Sequence, residues 1–124
     1  MFIISCGEKE IDYASVLNTL RLGTWRVGYY TMNGTNETSR FNGYNFTFNM
    51  DSSVIVQKES NTITGLYEAS NGNSNTQLNL YFGEDPLVDL NKDWKVLRLN
   101  GTLIEMENTT NQQQIPGNLH LQKN

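Results

Sequence analysis

The chain has little of what metal proteins and most enzymes are built around. Among its 124 residues there is one cysteine, Cys6, and one histidine, His120. A single thiol excludes an internal disulfide, and one His with one Cys leaves no cluster for a zinc site, so a metal would have to be held by carboxylates alone. Asp85, Asp89 and Asp93 come nearest to such a set, but their spacing lacks the alternating ligands of a calcium loop. Ser-x-x-Lys, Gly-x-Ser-x-Gly, phosphate-binding and His-Glu-x-x-His motifs are all absent. No enzyme, catalytic residue, metal or cofactor is therefore expected. Nine Lys and Arg against thirteen Asp and Glu give a net charge of −4, scattered rather than blocked. Nucleic-acid binding, which lives on dense cationic charge, is not expected either. No apolar run approaches the roughly 18 residues of a membrane-spanning helix.

Alanine is also scarce, at Ala14 and Ala69 only, and proline occurs only at Pro86 and Pro116. What fills the chain instead is Asn, Thr, Tyr and Phe, residues of strands and turns rather than of helices. At 14.1 kDa the chain is sized for one domain, with roughly two thirds of its surface buried on folding.

Hydrophobic period divides the chain near Leu22. Before it, Tyr13, Val16, Leu17 and Leu20 recur at helical spacing, and Asp12 stands where an N-cap belongs, so a short amphipathic helix is predicted. After it the period is two. Eight strands follow, around Trp25–Tyr30, Tyr44–Met50, Val54–Val56, Thr62–Ala69, Leu78–Phe82, Trp94–Leu99, Thr102–Glu107 and Ile115–Gln122. Asn100-Gly101 reads as a type I′ hairpin turn. Asn42-Gly43, where Phe41 falls out of step with Tyr44, reads as a β-bulge. Pro86 can open a short helix capped by Asp85.

Few prolines and few Lys gatekeepers imply few strand edges to protect, which favours a closed barrel over a sandwich. The expected fold is all-β, an eight-stranded antiparallel up-and-down barrel with a short N-terminal helix. Gly23-Thr24-Trp25, opening the first strand directly after the helix, resembles the G-x-W signature of the lipocalins and the wider calycin superfamily. The glycine lets the entering chain pass close beneath the barrel floor, and the indole plugs that end from inside. Together with Tyr44 to Phe48 and the run from Pro86 through Val96, residues 20 to 123 are similar to the small lipocalin-like lipoproteins of Bacteroidetes-type bacteria. The resemblance implies an arginine packed across the tryptophan, for which Arg98 is the candidate because it shares a face with Trp94 and Val96 by alternation.

Ile3-Ile4-Ser5-Cys6 resembles a bacterial lipobox, which implies lipidation of Cys6. On that reading residues 1–5 are the remnant of a signal peptide, residues 6–21 are the anchor cysteine, tether and helix, and residues 22–124 are the barrel. The implied location is the bacterial cell envelope, with the membrane reached only through the lipid.

An eight-stranded barrel can be filled by side chains or can hold one small molecule. Alternation points Trp25, Val27, Tyr29, Tyr44, Phe46, Phe48, Val54, Val56, Tyr67, Leu78, Leu80, Phe82, Trp94, Val96 and Arg98 inward. Of these, Tyr29, Tyr44, Phe46, Phe48, Tyr67, Leu80, Phe82 and Arg98 are the candidate binders of a small hydrophobic ligand, with Gly23 and Trp25 as the floor. The ligand would enter past the connections around residues 32–40 and 70–76. The alternative is a non-enzymatic module with a filled barrel that contacts an envelope protein partner. Glu105 and Glu107 share a strand face and read as solvated, and His120, between Leu119 and Leu121, alternates outward.

Overall fold

The computed structural model describes residues 11–72, 75–108 and 115–124. Helix α1 spans Tyr13–Leu20, and the Asp12 carboxylate caps it by accepting the Ser15 N–H at 2.8 Å. Two turns of helix are too few to be stable alone. This one is held by Val16 and Leu20, both buried against the barrel, with Leu17 at the edge of the same cluster.

Nine strands follow among the described residues: β1 (Trp25–Met32), β2 (Thr35–Asn36), β3 (Asn45–Phe48), β4 (Ser53–Lys58), β5 (Asn61–Asn71), β6 (Thr76–Tyr81), β7 (Asp93–Leu99), β8 (Leu103–Asn108) and β9 (Gly117–Lys123). From β3 onward each pairs antiparallel with the next, and β9 returns to β1 in a register running from Trp25↔Lys123 to Thr31↔Asn118. The sheet thereby closes. Because β2 is only a two-residue ribbon folded back on the end of β1, the wall is an eight-stranded antiparallel barrel. Its thinnest seam lies between β1 and β3, joined by the single bridge Trp25↔Phe46. A 3-10 turn, Thr38–Phe41, fills that seam, and its Thr38 hydroxyl accepts the Tyr30 N–H at 2.8 Å.

Three local expectations are corrected. The left-handed pair of a two-residue hairpin occurs at Asn33-Gly34, with φ of 53° and 82°, and not at Asn100-Gly101. The latter hairpin forms by other means: the Asn100 side-chain oxygen accepts the N–H groups of Thr102 and Leu103 at 2.9 and 3.0 Å, a side chain imitating a turn. Gly43, with φ of 86°, turns the chain out of the 3-10 segment and makes no bulge. After Pro86 comes a 3-10 turn, Leu87–Leu90, that Asp85 does not cap.

The bulges lie elsewhere, between Val27 and Tyr29 in β1 and between Val96 and Arg98 in β7. Each inserts one residue and reverses the facing of every side chain beyond it. Tyr29 therefore points outward, 37% exposed, and Tyr30 takes the interior place at 1%. In β7 the Arg98 side chain is 66% exposed, and the partly buried Leu99 packs against the core in its stead.

Candidate functional site

Each end of the barrel is plugged by the same device. At the base, the Trp25 indole N–H donates to the Leu20 carbonyl at 3.0 Å, so the first strand residue ties down the end of α1. The chain between them turns at Gly23, whose φ is 79°; a Cβ there would lie 2.6 Å from Cε of Lys123. Beside them Arg21 Nε donates to the Tyr67 hydroxyl at 2.9 Å, and that hydroxyl donates to the Asn49 carbonyl at 2.6 Å. At the other end, the Trp94 indole N–H donates to the Leu90 carbonyl at 2.9 Å. There the two 3-10 turns bury Phe41, Leu87 and Leu90, and Arg40 of one pairs with Asp89 of the other and with Glu37.

The expected entrance is corrected accordingly. Residues 32–40 belong to the plugged far end. Of residues 70–76, Asn71 and Thr76 lie at the base, where the Asn71 side-chain oxygen accepts the Tyr13 N–H at 3.2 Å and the Thr76 hydroxyl donates to the Ile11 carbonyl at 3.1 Å.

Between the plugs, five of the eight candidate ligand residues, Phe46, Phe48, Tyr67, Leu80 and Phe82, are buried in the interior. Phe46 stacks on Phe48 with centroids 6.4 Å apart, Phe82 meets Phe46 edge-on at 6.2 Å, and Tyr67 meets Phe48 edge-on at 5.1 Å. These separations are those of packed aromatic pairs. Tyr44 is half-buried at the rim, and Tyr29 and Arg98 stand outside. Trp25 is fully buried at the base. The arginine that the resemblance implied across the tryptophan is not Arg98, because the β7 bulge turns it out.

Sequence reasoning missed Tyr30, Phe41, Leu87 and Leu90, all buried. An apolar residue in an otherwise polar connection was the available signal for the last three. Tyr30 packs edge-on against Phe41 at 5.0 Å and Trp94 at 6.5 Å. Burial pushes its phenol up to about 12, and the carboxylates of Asp89 and Glu37 push the same way against a smaller opposing pull from Arg40.

Outside, register sets Arg98 of β7 opposite Glu105 of β8, Glu105 opposite His120 of β9, and His120 opposite Tyr29 of β1. Arg98 and Glu105 approach to 3.7 Å, and the Tyr29 and His120 rings lie 4.9 Å apart. His120 and the Glu105–Glu107 pair are on the outer face, as alternation had placed them, while Ile104, Met106, Leu119 and Leu121 fill the inner one. At the far rim a cleft of about 360 Å³ is lined by Tyr44, Lys58, Asn61, Thr62, Ile63, Glu84 and Asp85. Among the described residues no three His, Cys, Asp or Glu side chains gather as metal ligands, and no helix is long and apolar enough to cross a membrane. Cys6 and residues 1–5 lie outside the described residues.

No protein-family model matches the chain, and no curated protein matches it. A solved structure of a DUF4847 family protein from Bacteroides vulgatus ATCC 8482 does. It superposes with a TM-score of 0.57 at 14% identity, over 88% of this chain and 97% of that one. At that identity the likeness is one of fold, and the chain shares its barrel architecture with that protein.

Proposed function

We propose that the chain is a non-enzymatic binding module of the bacterial cell envelope, tethered by lipid on Cys6, whose barrel is filled by its own side chains and which meets its partner with its outer surface. The observation that carries this is the interior: rings in mutual contact from Phe82 to Tyr67, closed at one end by Trp25 on Leu20 and at the other by Trp94 on Leu90. An eight-stranded barrel has room for such a filling or for a ligand, and the first is the arrangement these contacts describe. Kinship with lipocalin-like lipoproteins belongs to the same proposal. It is supported by Gly23 and Trp25 acting as the floor and by the barrel shared with a Bacteroides protein.

A fluorescent long-chain fatty acid titrated against the protein tests the filled barrel, since Trp25 and Trp94 report on both ends. No saturable quenching is expected. Stoichiometric quenching would restore a carrier of hydrophobic ligands in place of the module. The tether is tested separately in the producing cells, where Cys6→Ala should move the protein from the membrane to the soluble fraction.

A further inference from the structure

The rim cleft is lined by charges of both signs that form no ion pair with one another. On one wall Lys58, the last residue of β4, lays its side chain along the backbone of Gly43: a Cβ there would lie 3.4 to 3.8 Å from Cε, Cγ and Cδ of Lys58. The ammonium ends 4.8 Å over the Tyr44 ring, close enough for a cation–π contact. The lysine thus packs against Gly43 and Tyr44. Glu84 and Asp85, from the connection between β6 and β7, line the same cleft, with β5 between them and β4 in the strand order. Among the described residues the ion pairs are Arg40 with Glu37 and Asp89, and Arg98 with Glu105. Lys58, Glu84 and Asp85 take part in none of them. Ile63 of β5 is half-buried in the lining, and Asn61 and Thr62 open the same strand with amide and hydroxyl groups.

From this arrangement we infer that the cleft binds a small zwitterion: a free dipeptide, or a molecule of like size with a carboxylate at one end and an ammonium at the other. The carboxylate would face Lys58, and the ammonium Glu84 and Asp85. Asn61 and Thr62 supply a donor and acceptors for a peptide unit between them. A ligand with only an anionic group would meet one cation and two carboxylates, and an apolar one would leave all three charges uncompensated. The volume, about 360 Å³, is at the lower end of the roughly 300–1,000 Å³ of small-molecule sites, which suits a two-residue peptide. The inference goes beyond the proposed module, because the cleft is on the rim and holds whether or not the barrel interior is filled.

The test is an NMR titration of the isotope-labelled full chain with alanyl-alanine, N-acetyl-alanyl-alanine and alanyl-alanine amide. The free dipeptide should move the amide signals of Tyr44, Lys58, Asn61, Ile63 and Asp85 saturably. Each blocked form should bind about fivefold more weakly or worse, the scale of one partly exposed ion pair. Lys58→Ala should abolish the advantage of the free carboxylate and keep that of the free amine, and Glu84→Gln with Asp85→Asn should do the reverse. Signal dispersion in the same spectra shows that each variant is folded. Absence of saturable shifts at tens of millimolar dipeptide, equal binding of free and blocked forms, or shifts confined to another face would each overturn the assignment.

Discussion

The Trp25 indole N–H donates to the Leu20 carbonyl at 3.0 Å, five residues back in the chain and wholly buried. Leu20 is the last residue of α1, so its carbonyl is among those with no partner inside the helix. One side chain thus satisfies a buried acceptor, closes the barrel base and anchors the helix. Trp94 repeats the relation with Leu90, four residues back, at the end of a 3-10 turn.

Replacing either indole by phenylalanine removes the donor and leaves a void as well as a buried, unpaired carbonyl. Each loss should cost about 2–4 kcal/mol in urea denaturation. The two variants are distinguishable by hydrogen exchange. Trp25→Phe should speed exchange in Val16 to Leu20 and spare Leu87 to Leu90, and Trp94→Phe should do the opposite. Equal loosening at both ends would mean that the plugs are not separate devices.

Gly65 faces inward beneath the Phe82 ring. A Cβ on it would lie 2.4 and 2.6 Å from two ring carbons and 2.7 Å from the Tyr81 carbonyl oxygen. Gly65→Ala should destabilise by about 1–3 kcal/mol through overpacking. Phe82→Leu in the same chain should recover part of that, giving a coupling of at least about 0.5 kcal/mol in a double-mutant cycle. Strict additivity would show that the ring does not rest on the glycine.

Stability should fall at both extremes of pH, for different reasons. Backbone and hydroxyl hydrogen bonds from Ser15 hold Asp12, and those from Ser53 hold Asp51, below the ordinary 3.8. A depressed folded value contributes stability that is present above the unfolded value and is lost as pH drops through the folded one. Asp12→Ala and Asp51→Ala should therefore flatten the acid limb of a stability–pH curve below about pH 4 and leave its alkaline limb unchanged.

Tyr30 acts in the opposite direction. Its folded value of about 12 exceeds the unfolded 10, so its contribution is intact below pH 10 and disappears as pH rises toward 12. Tyr30→Phe should flatten that limb by roughly 1–2 kcal/mol, after discounting for solvent near the hydroxyl. The difference in phenolate absorbance between the parent and Tyr30→Phe should show Tyr30 ionising at higher pH in the folded protein than in denaturant.

The helix, its Asp12 cap and the strand number were legible because each rests on hydrophobic period and turn residues within a few positions. The bulges were not. An extra residue in β7 leaves no mark on Trp94-Lys95-Val96-Leu97-Arg98, which alternates plausibly to the end, and only the pairing with β8 shows where the facing changes. The plugs at the far end were read as connections, since Phe41, Leu87 and Leu90 form no periodic run of their own. The rim cleft lay further out of reach, because Lys58 and Asp85 come together only when the β4–β5 hairpin and the β6–β7 connection reach the same rim.

The bulge in β1 is where a residue-level test is sharpest, because Tyr29 and Tyr30 are chemically identical neighbours assigned to opposite faces. Gly28 is the one trace of it in the sequence, a residue with no side chain at the point where two residues face one on β9. Tyr30→Ala removes a ring packed on Phe41 and Trp94 and should cost about 3–5 kcal/mol. Tyr29→Ala removes an exposed ring in contact with His120 and should stay within about 0.5 kcal/mol of the parent. Uninterrupted alternation from Trp25 reverses the order of the two costs, so chemical denaturation of this pair of variants decides between the two registers.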